Sequence, residues 1–306
     1  MNAQPQLLRG GQAGWRVLAY LGLMAMLVSL CACSARQLIV QGVANELAAQ
    51  GHASEDDLQL AREASAFYLK LSESLLREAP GNLKMAEAVA AGFTQYAYAF
   101  VAFDADRIEA KDARAAQKMR ERAARLYLRA NRHAMAALER NTPGFANALA
   151  TSEPAKWPRL GNGQVAVAYW AAASWGGYIS LSKDNPDAVA DLPLAIRLAH
   201  LAWDRMPDYG DGALAGLMGT FETVRAGGSL QQAVVYFDRA IALGGGKNAG
   251  AFVAKAEAIA LPAGDRAAFE ALLRQALVAS SMRRDVQNEA MRERALWLLE
   301  TVDDVF

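Results

Sequence analysis

The chain has 306 residues, 53% of them hydrophobic, with 32 basic and 32 acidic side chains and a formal net charge of zero. That length supports one or two domains with a sizeable core, and the composition excludes a disordered chain. The charge balance argues against a nucleic-acid binder, which carries a strong basic excess.

The first element, residues 1–32, is a targeting segment. Arg9 and Arg16 precede an apolar run from Val17 to Leu30, the order of a secretory signal. The run is shorter than the roughly 20 residues of a simple membrane span. "LCAC", residues 30–33, follows and resembles the bacterial lipobox, with Leu three positions before the modified Cys and a small residue directly before it. Cys33 fits as the lipidated residue, whereas Cys31 follows the bulky Leu30 and fits poorly. The alternative is an ordinary signal peptide cleaved near Ala32 or Ala35. Both cysteines of the chain fall here, so no disulfide is expected beyond Cys33. A diacylglyceryl group with an N-acyl chain would anchor more firmly than one acyl chain. Residues 33–57 read as a lipid-attached linker and the start of the first helix, and residues 58–306 as the folded domain.

From there the apolar periodicity is helical nearly throughout. Segments are expected at 58–77, 83–103, 113–140, 165–181, 192–206, 211–224, 229–243, 248–259, 264–279 and 285–303. "APGN", "NTPGF", "MPDYGDG" and "GGGKNAG" punctuate them, as Gly- and Pro-rich breaks should. Within the second segment, "GFTQYAYAF" places Phe93, Tyr96, Phe100 and the nearby Phe103 on one arc at about 100° per residue. Tyr98 points the opposite way, among Ala91, Thr94, Gln95 and Ala102. In "YWAAASWGGYISL", Trp170 and Trp175 cannot share a face. That helix is apolar all round and should be central, or lie against a ligand or another subunit.

The later segments repeat. Ala195, Ala199 and Ala202 are followed at the same spacing by Ala233, Phe237 and Ala240, then by Phe269, Leu273 and Ala276. The offsets, about 38 and 36 residues, are near the 34-residue period of the tetratricopeptide repeat. Pro207 and Gly245 stand where that repeat ends its second helix. The fold expected is all-α, a superhelical array of degenerate tetratricopeptide-like helix pairs after a cleaved signal peptide.

Catalytic chemistry does not emerge. His52, His133 and His200 lack metal-ligand spacing. "GGGKN" lacks the upstream Gly and the following Ser or Thr of a phosphate loop and reads as a helix-ending turn. Asp104, Asp106 and Glu109 read as a solvated helix end, and the charge run from Lys118 to Arg125 as an exposed helix face. No cofactor or metal is implied.

"FYLKLSESLLREAPGN", "GFTQYAYAFVAFDAD", "YWAAASWGGYISLSKDNPDAVADLP", "MPDYGDGAL" and "RALWLLETVDDVF" resemble the T-component (TatT) family of TRAP transporters. The resemblance runs from about Ala61 to the C-terminus. It implies a non-catalytic, periplasm-facing lipoprotein that docks the solute-binding protein of a tripartite ATP-independent periplasmic transporter. It also implies a trimer enclosing a ligand-accommodating pore. Ala215 departs from the His expected after "GAL", which puts a polar contact there in doubt. Ser34 after the lipid-bearing Cys favours the outer membrane. The expected ligand or partner surface comprises Tyr98, Trp170, Trp175, Phe93 and Tyr96, and so many large apolar groups point to a homo-oligomer. The competing reading is a repeat lipoprotein scaffolding outer-membrane or pilus assembly.

Overall fold

A computed structural model describes residues 56–306; the signal segment, Cys33 and His52 lie outside the described residues. The helices are α1 (Leu58–Glu78), α2 (Leu83–Ala97), a π-helical turn (Tyr98–Ala102), α3 (Phe103–Ile108), α4 (Ala113–Asn141), α5 (Phe145–Ala150) and α6 (Val165–Ser180). They continue as α7 (Pro186–Ala190), α8 (Leu192–Arg205), α9 (Ala213–Val224), α10 (Leu230–Leu243) and α11 (Ala249–Lys255). A second π turn (Ala256–Ala260), α12 (Arg266–Met282), α13 (Val286–Glu300) and α14 (Val302–Val305) complete the chain. Among the described residues there is no strand, so the described domain is all-helical.

Local chemistry explains the starts. The side chains of Asp57, Asn82, Asp112, Ser229, Asn248, Asp265 and Asp285 each accept a hydrogen bond from a backbone N–H of the helix that follows. Such caps satisfy donors that the first turn leaves orphaned and contribute about 1 kcal/mol each. The expected segments therefore match the helices to within a few residues. Helices α5 and α7, of 6 and 5 residues, were not expected, because a single turn shows no periodicity.

Consecutive helices pack on one another: α1 on α2, α2 on α4, α4 on α6, α6 on α8, α9 on α10, and α11 and α13 on α12. Helix α6 touches α2, α4 and α8, and Val167, Ala168, Ala171, Ala172 and Ser174 are buried, so the segment apolar all round is central. The nine repeat-register positions from Ala195 to Ala276 are all at most 1% exposed. Small side chains let the backbones approach, and Phe237 fills the space opposite Gly219, where a Cβ would lie 3.1 Å from its ring.

Ala215, Ala240 and Ala251 form a buried junction of small residues between α9, α10 and α11. An imidazole at position 215, fully buried, would have to displace that packing, which accounts for Ala there. Next to it, Gly212 has φ +92° and a Cβ would stand 2.5 Å from the Ala240 carbonyl oxygen. Only glycine meets both conditions. Ala240→Leu is accordingly expected to overpack this junction and cost about 1–3 kcal/mol; an unchanged thermal melt would refute the assignment of Ala240 as a tight contact.

The chain also packs end to start. Helix α13 contacts α1, and the Trp297 ring meets Phe103 edge-on at 5.7 Å. Leu58, Tyr98 and Ala99 pack against the core formed by α11, α12 and α13. This seam between α1, the π turn and α13 positions the candidate functional site.

Candidate functional site

The segment Gly92–Asp106 serves two environments. Its N-terminal half faces α1 and α4. Phe93, 2% exposed, stacks on His133 at 6.3 Å beneath the Arg129 guanidinium. Beside it lies buried Glu73, which accepts hydrogen bonds from Arg129 (2.6 Å) and Lys70 (2.7 Å) and pairs with the Nε2 of His133 (2.8 Å). Burial alone would raise the Glu73 carboxyl, but these partners outweigh it and hold it at about 2. Tyr96 is half-buried, edge-on to Phe100 at 5.6 Å, with Arg122 over its ring. Phe93 is thus a core residue of this hairpin.

At Tyr98 the hydrogen-bond register changes. The Phe103 N–H donates to the Tyr98 carbonyl, an i→i+5 bond that inserts an extra residue into the turn. The uniform rotation of 100° per residue fails there. Phe103 and Asp106 swing onto α13, so Phe103 does not continue the environment of Phe93, contrary to the arc expected from the sequence.

The second π turn, Ala256–Ala260, carries Glu257 to the same place. Between the two turns lies Arg294 of α13, its side chain 12% exposed. Its guanidinium donates to Glu257 (2.6 Å) and Asp106 (3.1 Å). It also lies 5.6 Å from the Tyr98 ring, 5.3 Å from Phe103 and 5.9 Å from Trp297. Arg120 extends the network, donating to Asp106 (3.0 Å) and Glu109 (2.6 Å). Desolvation opposes the charge on Arg294, yet Tyr98, Glu257 and Asp106 outweigh it and raise its pKa. Asp104 likewise takes two hydrogen bonds from Arg62. Asp104, Asp106 and Glu109 are therefore tied into ion pairs rather than forming a merely solvated helix end. Arg294 and Glu257 carry no sequence signal; Arg294 lies 188 residues from Asp106.

Burial pushes the Tyr98 phenol up to about 12, with Arg294 pulling the other way. Tyr98 nonetheless keeps solvent-accessible surface. Adjacent Tyr127 is raised too, chiefly by burial, and its ring presses on Gly177, where a Cβ would lie 2.7 Å away.

A second aromatic group forms on α6. The Tyr169 ring meets Trp170 at 4.9 Å and Tyr209 at 5.2 Å, and the Tyr209 hydroxyl donates to Glu87 at 3.2 Å. Burial raises Tyr169 to about 12 and also raises Tyr209, yet both, like Trp170, remain partly accessible. Trp175 is half-buried and packs on the main core. The sequence-derived surface residues are thus distributed: Tyr98 at the seam, Trp170 in the α6 group, and Phe93 and Tyr96 in the first hairpin. His200 is held below its ordinary pKa by burial, and "GGGKN" forms the turn between α10 and α11. No group of metal-ligating side chains exists among the described residues, and no described helix is long and apolar enough to cross a membrane.

The described residues form an array of packed helical hairpins that presents aromatic rings and a caged arginine. The chain belongs to the TRAP transporter T-component family, whose model matches residues 54–306. Membership makes it a transport accessory associated with a TRAP system, consistent with an envelope location. It is also similar to an uncharacterized protein of Treponema pallidum (strain Nichols), at 26% identity over 263 residues, covering 82% of this chain and 81% of that protein.

Proposed function

We propose that the protein is a non-catalytic, periplasm-facing lipoprotein that docks a TRAP solute-binding protein and holds a small organic or hydrophobic solute. Tyrosines 98, 169 and 209 carry this reading. Each is surrounded deeply enough for burial to raise its pKa, yet each keeps accessible surface. A partly accessible ring backed by packed neighbours gives a solute a firm surface to lie against. Aromatic rings with one hydroxyl offer apolar area and a hydrogen bond together. The repeat-register burial supports a tetratricopeptide-like superhelix, and end-to-start packing would close it. The resemblance to the family supports a trimeric assembly, and Ser34 supports an outer-membrane address.

The test is tryptophan fluorescence with candidate apolar solutes, added alone and with the solute-binding protein. Tyr98→Ala is expected to weaken solute binding roughly tenfold, the equivalent of about 1.4 kcal/mol of lost contact. Emission indifferent to every solute and to the receptor, with light scattering showing a monomer, would overturn the reading. For the anchor, labelled palmitate is expected to enter the wild type and not Cys33→Ala; equal labelling would refute Cys33 as the lipidation site.

A further inference from the structure

Helix α4 runs unbroken for 29 residues and carries eight basic residues against two acidic ones, Glu121 and Glu139. Arg120 and Arg129 are consumed by ion pairs with Asp106, Glu109 and Glu73. The other six, Arg114, Lys118, Arg122, Arg125, Arg132 and Arg140, are all exposed. Among the described residues none of them forms an ion pair. At 100° per residue they fall within an arc of about 80°, and at 1.5 Å per residue they extend over about 39 Å.

The two acids of the helix do not neutralise this stripe. Both lie at its edge, and Glu139 is occupied, accepting hydrogen bonds from the backbone N–H groups of Gly144 (2.6 Å) and Ala146 (2.9 Å). On α1, Glu73 is already paired with Lys70 of its own helix and with Arg129 and His133 of α4. Like charges three and four residues apart on a helix repel, so the arrangement costs stability without an internal counter-charge. In a chain of balanced overall charge, this concentration calls for an external anion.

We propose that the α4 stripe lies against the anionic phospholipid headgroups of the membrane to which the protein is anchored. The shape favours a plane: one continuous helix holds all six cations within a single arc of about 80°, so they can face the same flat surface. The exposed large apolar residues of the protein include none from α4. A protein interface would be expected to supply aromatic or aliphatic anchors at its centre, whereas attraction to anionic lipid needs only the cations. The stripe would orient the helical domain on the bilayer and leave the faces away from α4 toward the periplasm. The proposal rests on the reading of the chain as membrane-anchored.

The test uses the full lipoprotein carrying Ala136→Cys, an exposed position within the same arc, labelled with an environment-insensitive fluorophore. The unsubstituted protein is the labelling control. Quenching by neutral acrylamide is compared in phosphatidylcholine vesicles and in vesicles with about 30% phosphatidylglycerol. The expected result is quenching reduced about threefold by the anionic lipid, restored by about 0.5 M NaCl. Arg125→Glu with Arg132→Glu should abolish the protection while leaving the helical circular dichroism unchanged. Equal quenching in both lipids would overturn the proposal, as would protection that requires an added acidic receptor protein instead of the lipid. Failure of the anchor reads separately: the protein would not float with neutral vesicles in high salt, yet a functional stripe would still carry it to anionic ones in low salt.

Discussion

Replacing Arg294 by alanine is expected to destabilise the protein by about 3 kcal/mol in urea titration. The substitution leaves Glu257 and Asp106 facing each other across the seam without their shared cation, and it strips a guanidinium from three rings. The two carboxylates are a little over one-quarter exposed, so water relieves part of the loss; hence the low end of the range for breaking a buried ion pair. Arg294→Lys should recover only part of the stability, since an ammonium lacks the planar fork that reaches both acids. Arg274→Ala is the control. Its pair with Glu270 is largely solvated on the arginine side, and its loss should cost less than about 1 kcal/mol. Equal melts for Arg294→Ala and Arg274→Ala would show that the seam is not held by Arg294.

Phe237→Ala is expected to cost about 3–5 kcal/mol. The ring is fully buried at the contact of α9 with α10, and the approach of Gly219 to it leaves no side chain able to fill the void. Phe237→Leu, which keeps most of the volume, should lose roughly half as much. A denaturation midpoint unchanged by Phe237→Ala would place this residue outside the inter-helix contact and invalidate the repeat register.

The sequence by itself determined the helical character of the described domain, the helix order and the buried register of the C-terminal half. Those properties are local. Polar caps such as Asp57, Asn82 and Ser229 start helices, glycine breaks end them, and Ala195 through Ala276 mark helix faces at regular spacing. The family was legible as well, because its residues stand in long contiguous stretches such as "GFTQYAYAF". The tertiary structure alone decided the site. A π turn at Tyr98–Ala102 breaks the rotation on which every periodicity argument depends and turns Phe103 onto Trp297 of α13. The same holds for charge. Asp106 has the appearance of a surface carboxylate until a chain reversal brings Arg294 to it from 188 residues away. Helical spacing specifies which side chains share a face, but what covers that face depends on pairings that only the folded chain creates.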